Sequence, residues 1–390
     1  MFSHDSHLPQ VLEADHYTGR GWLDGELDHL FRPSWQFVGT LADLPRDGDF
    51  FTFELFDQPL IVWRTGGEVR AFLNVCPHRF SMLTHQPCGH AGDRFTCQYH
   101  GWQFDCEGDT RKIPDAKSFR PMQRGELALR RFRTATCGQL IFVNLNEDGP
   151  TLEEFLGPGY EAGQELFSDD RHLILSLDYE VAANWKIKIE NSLESYHVDL
   201  IHPATFRKTP DESICEHVLE PRWTTFETNQ PAVTRTDRFL DWLIHRVAEV
   251  ESDGKYRHCH IYPNMMYGKM SLFTFAETVF PIEPGRTRIL AKFFAFAGAR
   301  RTLGTRLLRR GLAAWGRKFW PTVAAEDTGV MPDIQKGMQS GRLPSQGLIS
   351  IREERLWHFQ EFVRNSVCGN DLTDDSELSL AVSRSNGAER

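Results

Sequence analysis

The sequence predicts an α+β protein in two parts: a small antiparallel β domain, then a larger domain of helix-grip type, in which a long antiparallel sheet is flanked by helices. Three observations support this. Between residues 35 and 146 short runs alternate apolar and polar residues and are punctuated by glycine turns, the period-two pattern of half-buried strands. Beyond Asp148-Gly149-Pro150, long aromatic-rich runs are interleaved with segments of helical period. A length of 390 residues also exceeds what one hydrophobic core ordinarily serves.

The elements follow in order. Residues 1–34 form an N-terminal helical segment expected to pack on the larger domain, with the helical pattern of 10–35 stopping near Phe31-Arg32-Pro33. In the small domain, 35–150, the runs 60–63 and 69–73 flank the turn Thr65-Gly66-Gly67-Glu68, a two-residue hairpin signal. The runs 102–104 and 110–113 flank Glu107-Gly108-Asp109, and 140–145 closes the series. In the larger domain, 151–368, residues 174–181, 261–277 and 287–296 read as long strands. Segments near 184–201, 302–319, 321–340 and 351–366 read as helices. After Cys368 the chain turns polar, and 369–390 reads as a disordered tail.

Composition removes several classes of function. The formal charge of −10 argues against nucleic acid and anionic membrane surfaces as partners. No apolar run is long enough to span a bilayer, and MFSHDSHLPQ lacks the basic and apolar regions of a signal peptide. Eight cysteines scattered without a disulfide framework suit a reducing, cytoplasmic setting.

Two cysteine–histidine loops carry the chemistry. Cys76-Pro77-His78-Arg79 and Cys97-Gln98-Tyr99-His100-Gly101-Trp102, with 18 residues between His78 and Cys97, bring two thiolates and two imidazoles. Cys76, His78, Cys97 and His100 are the ligand set of a Rieske [2Fe–2S] centre, where one iron takes two Cys and the other two His. Neutral imidazoles in place of anionic thiolates raise the potential of such a cluster. Structural zinc is the alternative, but zinc fingers pair Cys with Cys and His with His along the chain, whereas each loop here brings one of each. Membrane cytochrome-complex Rieske proteins carry an extra Cys in each loop; Ser81 and Tyr99 stand there instead. A lone Rieske ferredoxin needs little more than about 100 residues, so the remaining chain has another task.

That task points to residues 184–203. On a continuous helix Glu190, Glu194 and His197 share one face, and His202, directly before Pro203, is pushed out of helical geometry and can turn back toward His197. Two His plus one carboxylate from elsewhere would form the facial triad of non-haem Fe(II), with positions left open for O₂. Without the upstream loops, the same helix would read as a solvated face.

The order Cys-x-His, Cys-x-x-His, Asn184-Trp185-Lys186, then Glu194-x-Tyr196-His197-x-x-x-x-His202 resembles the large (oxygenase) subunits of Rieske non-haem iron oxygenases, over nearly the whole chain from Trp35 to about Val367. The resemblance implies a mononuclear Fe(II) held by His197, His202 and an aspartate of a late helix. Asp327 matches that aspartate, with Glu326 and Asp333 as competitors, and Pro332 is unexpected in such a helix. It also implies head-to-tail homotrimers in which a carboxylate, here Glu194, bridges a cluster His of one subunit to an iron His of the next. Glutamate at that position is similar to the branch acting on carnitine, glycine betaine and related quaternary ammonium compounds. The chain has no dinucleotide fingerprint, so NAD(P)H is expected to be handled by a separate reductase.

Three readings follow: a monooxygenase acting on a small quaternary-ammonium or N-methylated molecule; an aromatic ring-hydroxylating dioxygenase α subunit; and an electron carrier without oxygenase activity. Tyr196, Trp185, Phe206, Tyr262, Tyr267, Phe273 and Phe275 are candidate pocket aromatics, although most would serve as core in a chain with 28 Phe. The basic run Arg300–Lys318 reads as a solvated face or a reductase-docking surface, and His258, His260, Cys88 and Cys106 read as structural.

Overall fold

Glycine turns and period-two alternation resolve into two seven-stranded antiparallel sheets in the computed structural model, which describes residues 4–122, 126–206, 208–229, 235–300, 302–344 and 347–369. The expected disordered tail lies outside the described residues, apart from Gly369. In the first sheet the hydrogen-bonded order is Gln36–Thr40, Leu140–Asn144, Arg131–Cys137, Glu68–Leu73, Gln58–Thr65, Asp49–Leu55 and Cys88–His90. Thr65 pairs with Glu68 across Gly66 and Gly67, whose φ of 63° and 81° are the left-handed values a primed hairpin turn demands. A three-stranded sheet, Phe95–Thr96, Gln103–Phe104 and Thr110–Lys112, sits at the end of this domain and carries the second Cys–His loop.

The second sheet runs Arg171–Val181, Arg286–Phe296, Phe273–Glu283, Met265–Met270, Lys255–Ile261, Trp223–Asn229 and Glu216–Glu220. The run 261–277, expected as one strand, is the end of one, the whole of a second and the start of a third. Its turns, at Tyr262-Pro263-Asn264 and Ser271-Leu272, hide in the sequence because apolar residues continue through them; Tyr262 and Leu272 are as buried as the strands.

The two sheets share one apolar core, in which Phe53, Leu55 and Leu60 of the small sheet meet Phe280, Leu290 and Phe294 of the large one. Polar contacts lock the register of this joint. Lys292 Nζ reaches both carboxylate oxygens of Asp43 at 2.9 Å, and the Arg288 guanidinium lies 4.4 Å from the Phe53 ring centre.

Helices depart from expectation where local chemistry overrides period. The N-terminal segment is Ala14–Thr18, Arg20–Glu26 and a π-helical turn Leu27–Phe31 rather than one helix. The helix expected over 184–201 stops: Trp185–Leu193 is helical, Glu194 is extended (φ −127°, ψ 167°), and Val198–Ile201 forms a separate short turn. The assumed i, i+4, i+7 face therefore does not exist. Glu190 turns away from His197 to accept from Tyr17 Oη at 2.5 Å and from Gln360 Nε2 at 2.9 Å. Later, Leu303–Thr328 runs unbroken through Pro321, where two helices were expected, and the chain breaks instead at Gly329-Val330. Pro332 then falls in the first turn of Met331–Met338, where no intrahelical N–H is needed.

Asn184-Trp185-Lys186 is the anchor of the second domain. Asn184 caps its helix by accepting from Lys186 N at 3.0 Å, while its amide donates to the carbonyls of Tyr17 and Pro284. Lys186 Nζ and Trp185 Nε1 both reach Glu26, at 2.5 and 2.7 Å, with the Lys–Glu pair entirely buried. Removing one partner of such a pair leaves a bare charge inside the protein, whereas removing both does not. We expect Glu26→Ala to cost about 3–5 kcal/mol in chemical denaturation, and Glu26→Gln with Lys186→Met to recover at least half of that. Additive losses would mean that the pair does not act as a unit.

Candidate metal centres

The two Cys–His loops share one backbone plan. In each, the Cys N–H donates to the carbonyl five residues on (Cys76 to Ser81, Cys97 to Trp102, both 2.8 Å). The residue four on donates back to the Cys carbonyl (Phe80 at 2.9 Å, Gly101 at 3.0 Å). That closure needs a left-handed residue in fourth place, and Phe80 (φ 60°) and Gly101 (φ 75°) supply it. The plan buries both thiols, while the ring of His78 stacks on Trp102 at 4.8 Å and 5° and meets the ring of His100 at 4.7 Å. Burial pushes the Cys76 thiol up to about 11 with Cys97 beside it, so a metal must displace protons to bind here. His78 Nδ1 is buried without a hydrogen-bond partner among the described residues, which leaves its lone pair free to ligate a metal. These residues fit a Rieske cluster.

The second constellation assembles where the helix breaks. Glu194 Oε2 accepts from the backbone N–H of Tyr196 and of His197 (3.2 Å to the latter), and Oε1 meets His197 Nδ1. This side-chain clasp turns the chain and aims His197 Nε2 inward. His202 ends the short helix in a non-helical conformation (φ −108°, ψ 47°) ahead of Pro203. The three tips then converge: His197 Nε2 to His202 Nε2 is 3.2 Å, His202 Nε2 to Asp327 Oδ1 is 3.0 Å, and His197 Nε2 to Asp327 Oδ1 is 3.5 Å. Two ligands about 2.1 Å from one metal at a right angle lie about 3 Å apart, so these spacings are those of a facial triad. Among the described residues Asp327 Oδ1 is buried without a well-aligned hydrogen bond although both imidazole tips approach it, the arrangement of atoms that converge on a common centre.

Charge follows geometry. Burial alone would lower the His197 pKa, but the Asp327 and Glu194 carboxylates lift it to about 9. Burial likewise opposes, and Asp327 and Glu326 enforce, an upward shift of His202. Burial works to raise Asp327, yet His197, His202 and Lys188 hold it well below the usual carboxylate range.

Of the three acids weighed in sequence, Asp327 alone enters the triad. Glu326 accepts instead from His202 Nδ1 at 2.9 Å, Thr205 Oγ1 at 2.5 Å and Ala204 N at 3.1 Å, and thereby fixes the ring and tautomer of His202. Asp333 is exposed in the first turn of the next helix.

Beside the triad opens a cavity of about 580 Å³. Of the aromatics proposed from sequence only Phe206 and Phe275 line it. Tyr196 is exposed, Trp185, Tyr262 and Tyr267 are core, and Phe273 packs against Trp315. Tyr179, Phe226, Tyr256, Phe293 and Trp320 also belong to the aromatic wall, and the charges sequence reading missed are the ion pair Lys188–Glu277 (2.7 Å), Arg355, Lys208 and Asp211. Arg355 sits in Arg352-Glu353-Glu354-Arg355, a run that reads as a solvated helix start, so only burial singles it out. Of the two histidines read as structural, His258 lines the cavity, whereas His260 is tied to the Pro263 carbonyl at 3.0 Å.

Two outcomes are expected. Glu326→Gln should weaken Fe(II) binding about 10–100-fold in a metal titration without altering the Cys–His loops; unchanged affinity would remove Glu326 from any role in orienting His202. In iron-free protein, the charge on His197 stabilises the fold fully below its unfolded value of about 6.5, and this is lost as pH rises toward about 9. Apparent Fe(II) affinity should rise over the same interval, because a charged imidazole cannot ligate. Flat profiles in denaturation and titration would contradict this.

Comparison with known proteins agrees with the geometry. Residues 34–132 match the Rieske [2Fe-2S] domain model, and residues 169–368 match the catalytic domain model of the ring hydroxylating alpha subunit. The chain is 32% identical to chloroplastic choline monooxygenase of Spinacia oleracea over 376 residues, covering 93% of this chain and 79% of that protein. It is 25% identical to the 2-aminobenzenesulfonate 2,3-dioxygenase alpha subunit of Alcaligenes sp, covering 86% and 88%. In fold it superposes on the quaternary ammonium Rieske monooxygenase CntA with a TM-score of 0.74, covering 93% of this chain and 95% of that one at 21% identity. Among the described residues no helix is long and apolar enough to cross a membrane. Sequence, fold and both convergent ligand sets lead to one conclusion: this chain belongs to the Rieske non-haem iron oxygenases, oxidoreductases that carry a [2Fe–2S] cluster and a mononuclear iron.

Proposed function

We propose that this chain is the terminal oxygenase component of a system that uses O₂ and electrons from a separate NAD(P)H-dependent reductase to hydroxylate or N-dealkylate a small quaternary-ammonium or N-methylated substrate. The observation that carries this reading is the aromatic cavity ending on the triad. Phe293 and Trp320 stack at 4.7 Å, with Phe275 5.9 Å from Trp320, and such faces attract quaternary ammonium ions. The relation to choline monooxygenase supports it. The relation to 2-aminobenzenesulfonate 2,3-dioxygenase supports a second reading, an aromatic ring-hydroxylating dioxygenase α subunit.

In this reading Cys76, Cys97, His78 and His100 hold the cluster, and His197, His202 and Asp327 hold the iron. When bound, these groups supply single-electron transfer and O₂ reduction. The protein contributes orientation and charge: Glu194 fixes His197, Glu326 fixes His202, and His197, His202 and then Lys188 hold Asp327 ionised. The exposure of His100, Phe80 and Tyr99 at the cluster loops, and of Tyr196 and Leu200 beside the triad, supports a head-to-tail cyclic homotrimer in which the first patch of one copy meets the second of the next. Glu194 would then join His197 to the cluster-loop histidine of a neighbouring copy.

Turnover of trimethylammonium compounds against benzoates, with oxygen uptake and product analysis, separates the two readings; a cis-diol product would overturn the first. His197→Ala or Asp327→Ala should abolish turnover and leave the cluster's visible spectrum intact, and activity surviving in Asp327→Ala would remove it from the triad. Glu194→Gln should load both metals yet slow oxidation of the reduced cluster in single turnover by at least about 10-fold. Trimers mixed from His78→Ala and His197→Ala chains should regain activity; mixtures that stay dead would refute transfer between subunits.

A further inference from the structure

Arg355 belongs to the C-terminal helix Glu354–Cys368, yet it is only 1% exposed and lines the cavity beside the triad. Its guanidinium makes three contacts. Nε donates to Thr224 Oγ1 at 3.1 Å, Nη1 to the Leu193 carbonyl at 3.5 Å, and Nη2 to His258 Nδ1 at 3.1 Å. All three acceptors are neutral, and among the described residues Arg355 forms no ion pair. The other buried cations each have a carboxylate: Arg70 has Glu68 and Glu107, Lys186 has Glu26, Lys188 has Glu277, and Lys292 has Asp43. Glu354, adjacent in sequence, turns its own carboxylate to His4 and His217.

A buried guanidinium with no counter-ion is costly, and such a group in a cavity is a candidate for binding a charged ligand. Burial lowers the Arg355 pKa to about 10, which still leaves it charged at neutral pH. The neighbouring histidine extends the same chemistry. Burial and then Arg355 keep His258 neutral, and because arginine only donates, Nδ1 must accept and Nε2 must carry the proton. This patch of the cavity wall therefore offers a guanidinium and an imidazole N–H. Of the other charges lining the cavity, Lys188 is paired with Glu277, Glu194 and Asp327 face the imidazoles, and Lys208 and Asp211 are exposed and opposite in sign, so Arg355 is the buried cation of the lining that has no carboxylate among the described residues.

We propose that Arg355, assisted by His258, binds a carboxylate or sulfonate of the substrate, so that the preferred substrate is a small zwitterion of betaine type rather than an amino alcohol of choline type. This rests on the reading that the cavity is the substrate site; the ammonium would lie over Phe275, Phe293 and Trp320. The competing role for Arg355 is purely structural, since the Leu193 carbonyl it approaches closes the helix Trp185–Leu193.

The test is calorimetric binding to the metal-loaded protein with four probes in matched pairs: glycine betaine against choline, and benzoate against benzamide. The wild type should favour glycine betaine over choline by at least about 30-fold, and benzoate over benzamide in the same direction. Arg355→Met should reduce the first ratio below about 3 by weakening the carboxylate probe, while choline affinity moves little; Arg355→Lys should restore part of the ratio. The wild-type ratios need no variant, so a variant that fails to fold does not blunt the test. The proposal is overturned if choline binds as well as glycine betaine and benzamide as well as benzoate. It is also overturned if Arg355→Met weakens all four probes alike, the mark of a helix cap, or if neither carboxylate binds at about 10 mM. Benzoate preference without binding of either trimethylammonium compound keeps the anion site and refutes the quaternary-ammonium reading. Choline binding without any carboxylate preference does the reverse.

Discussion

The clasp that Glu194 makes on its own chain is the interaction on which the site depends. One carboxylate takes the backbone N–H groups of Tyr196 and His197 together with the His197 ring, and so turns a helix into a corner. Had the helix continued, His202 would lie five residues beyond His197 on a different face, and the two imidazoles could not meet at 3.2 Å. Backbone geometry and ligand orientation are thus fixed by the same side chain. Any substitution there perturbs both, and the shape-conserving amide is the informative replacement.

Behind that corner the second domain buries an unusual amount of charge. Glu26, Lys186, Lys188 and Arg355 are buried, with Glu190 and Glu277 close behind. Each polar group has partners: Glu190, raised by burial to about 7, is held by Tyr17 and Gln360, and Gln360 in turn accepts from the backbone of Val11 and Leu12. Such networks add little net stability over an apolar core, because desolvation offsets attraction. What they provide is position. The N-terminal segment, the Asn184-capped helix and the C-terminal helix are joined by directional bonds that admit one arrangement, and the triad inherits that rigidity.

The cluster domain reaches order by a different route. Its two loops repeat one hydrogen-bonded plan, and their ligands are held by burial and ring stacking, with Trp102 under His78. The shared core between the two sheets then fixes one metal centre relative to the other within the chain, through apolar contact and the Lys292–Asp43 and Arg288–Phe53 contacts across the joint.

By itself, the sequence determined the chemistry and the class of fold. Candidate ligands are marked by residue type and short spacing, which is why the two Cys–His loops, His197 and His202 stood out as candidates before folding brought them together; strands whose faces alternate and turns built on Gly66-Gly67 were legible for the same local reason. Strand divisions within 255–283 were not, because burial on both faces erases the alternation. Nor was the break at Glu194, where a side chain outcompetes the helical hydrogen bond. Tertiary structure alone separated Asp327 from Glu326 and Asp333, all acids within eight residues: Glu326 and Asp327 are neighbours about 100° apart on the long helix, Asp333 lies beyond its break, and only the folded position of that helix decides which carboxylate meets the imidazole tips. It alone also exposed Arg355 as a buried charge without an ion-pair partner among the described residues, because solvation is a property of the folded neighbourhood and leaves no mark in a run of arginines and glutamates.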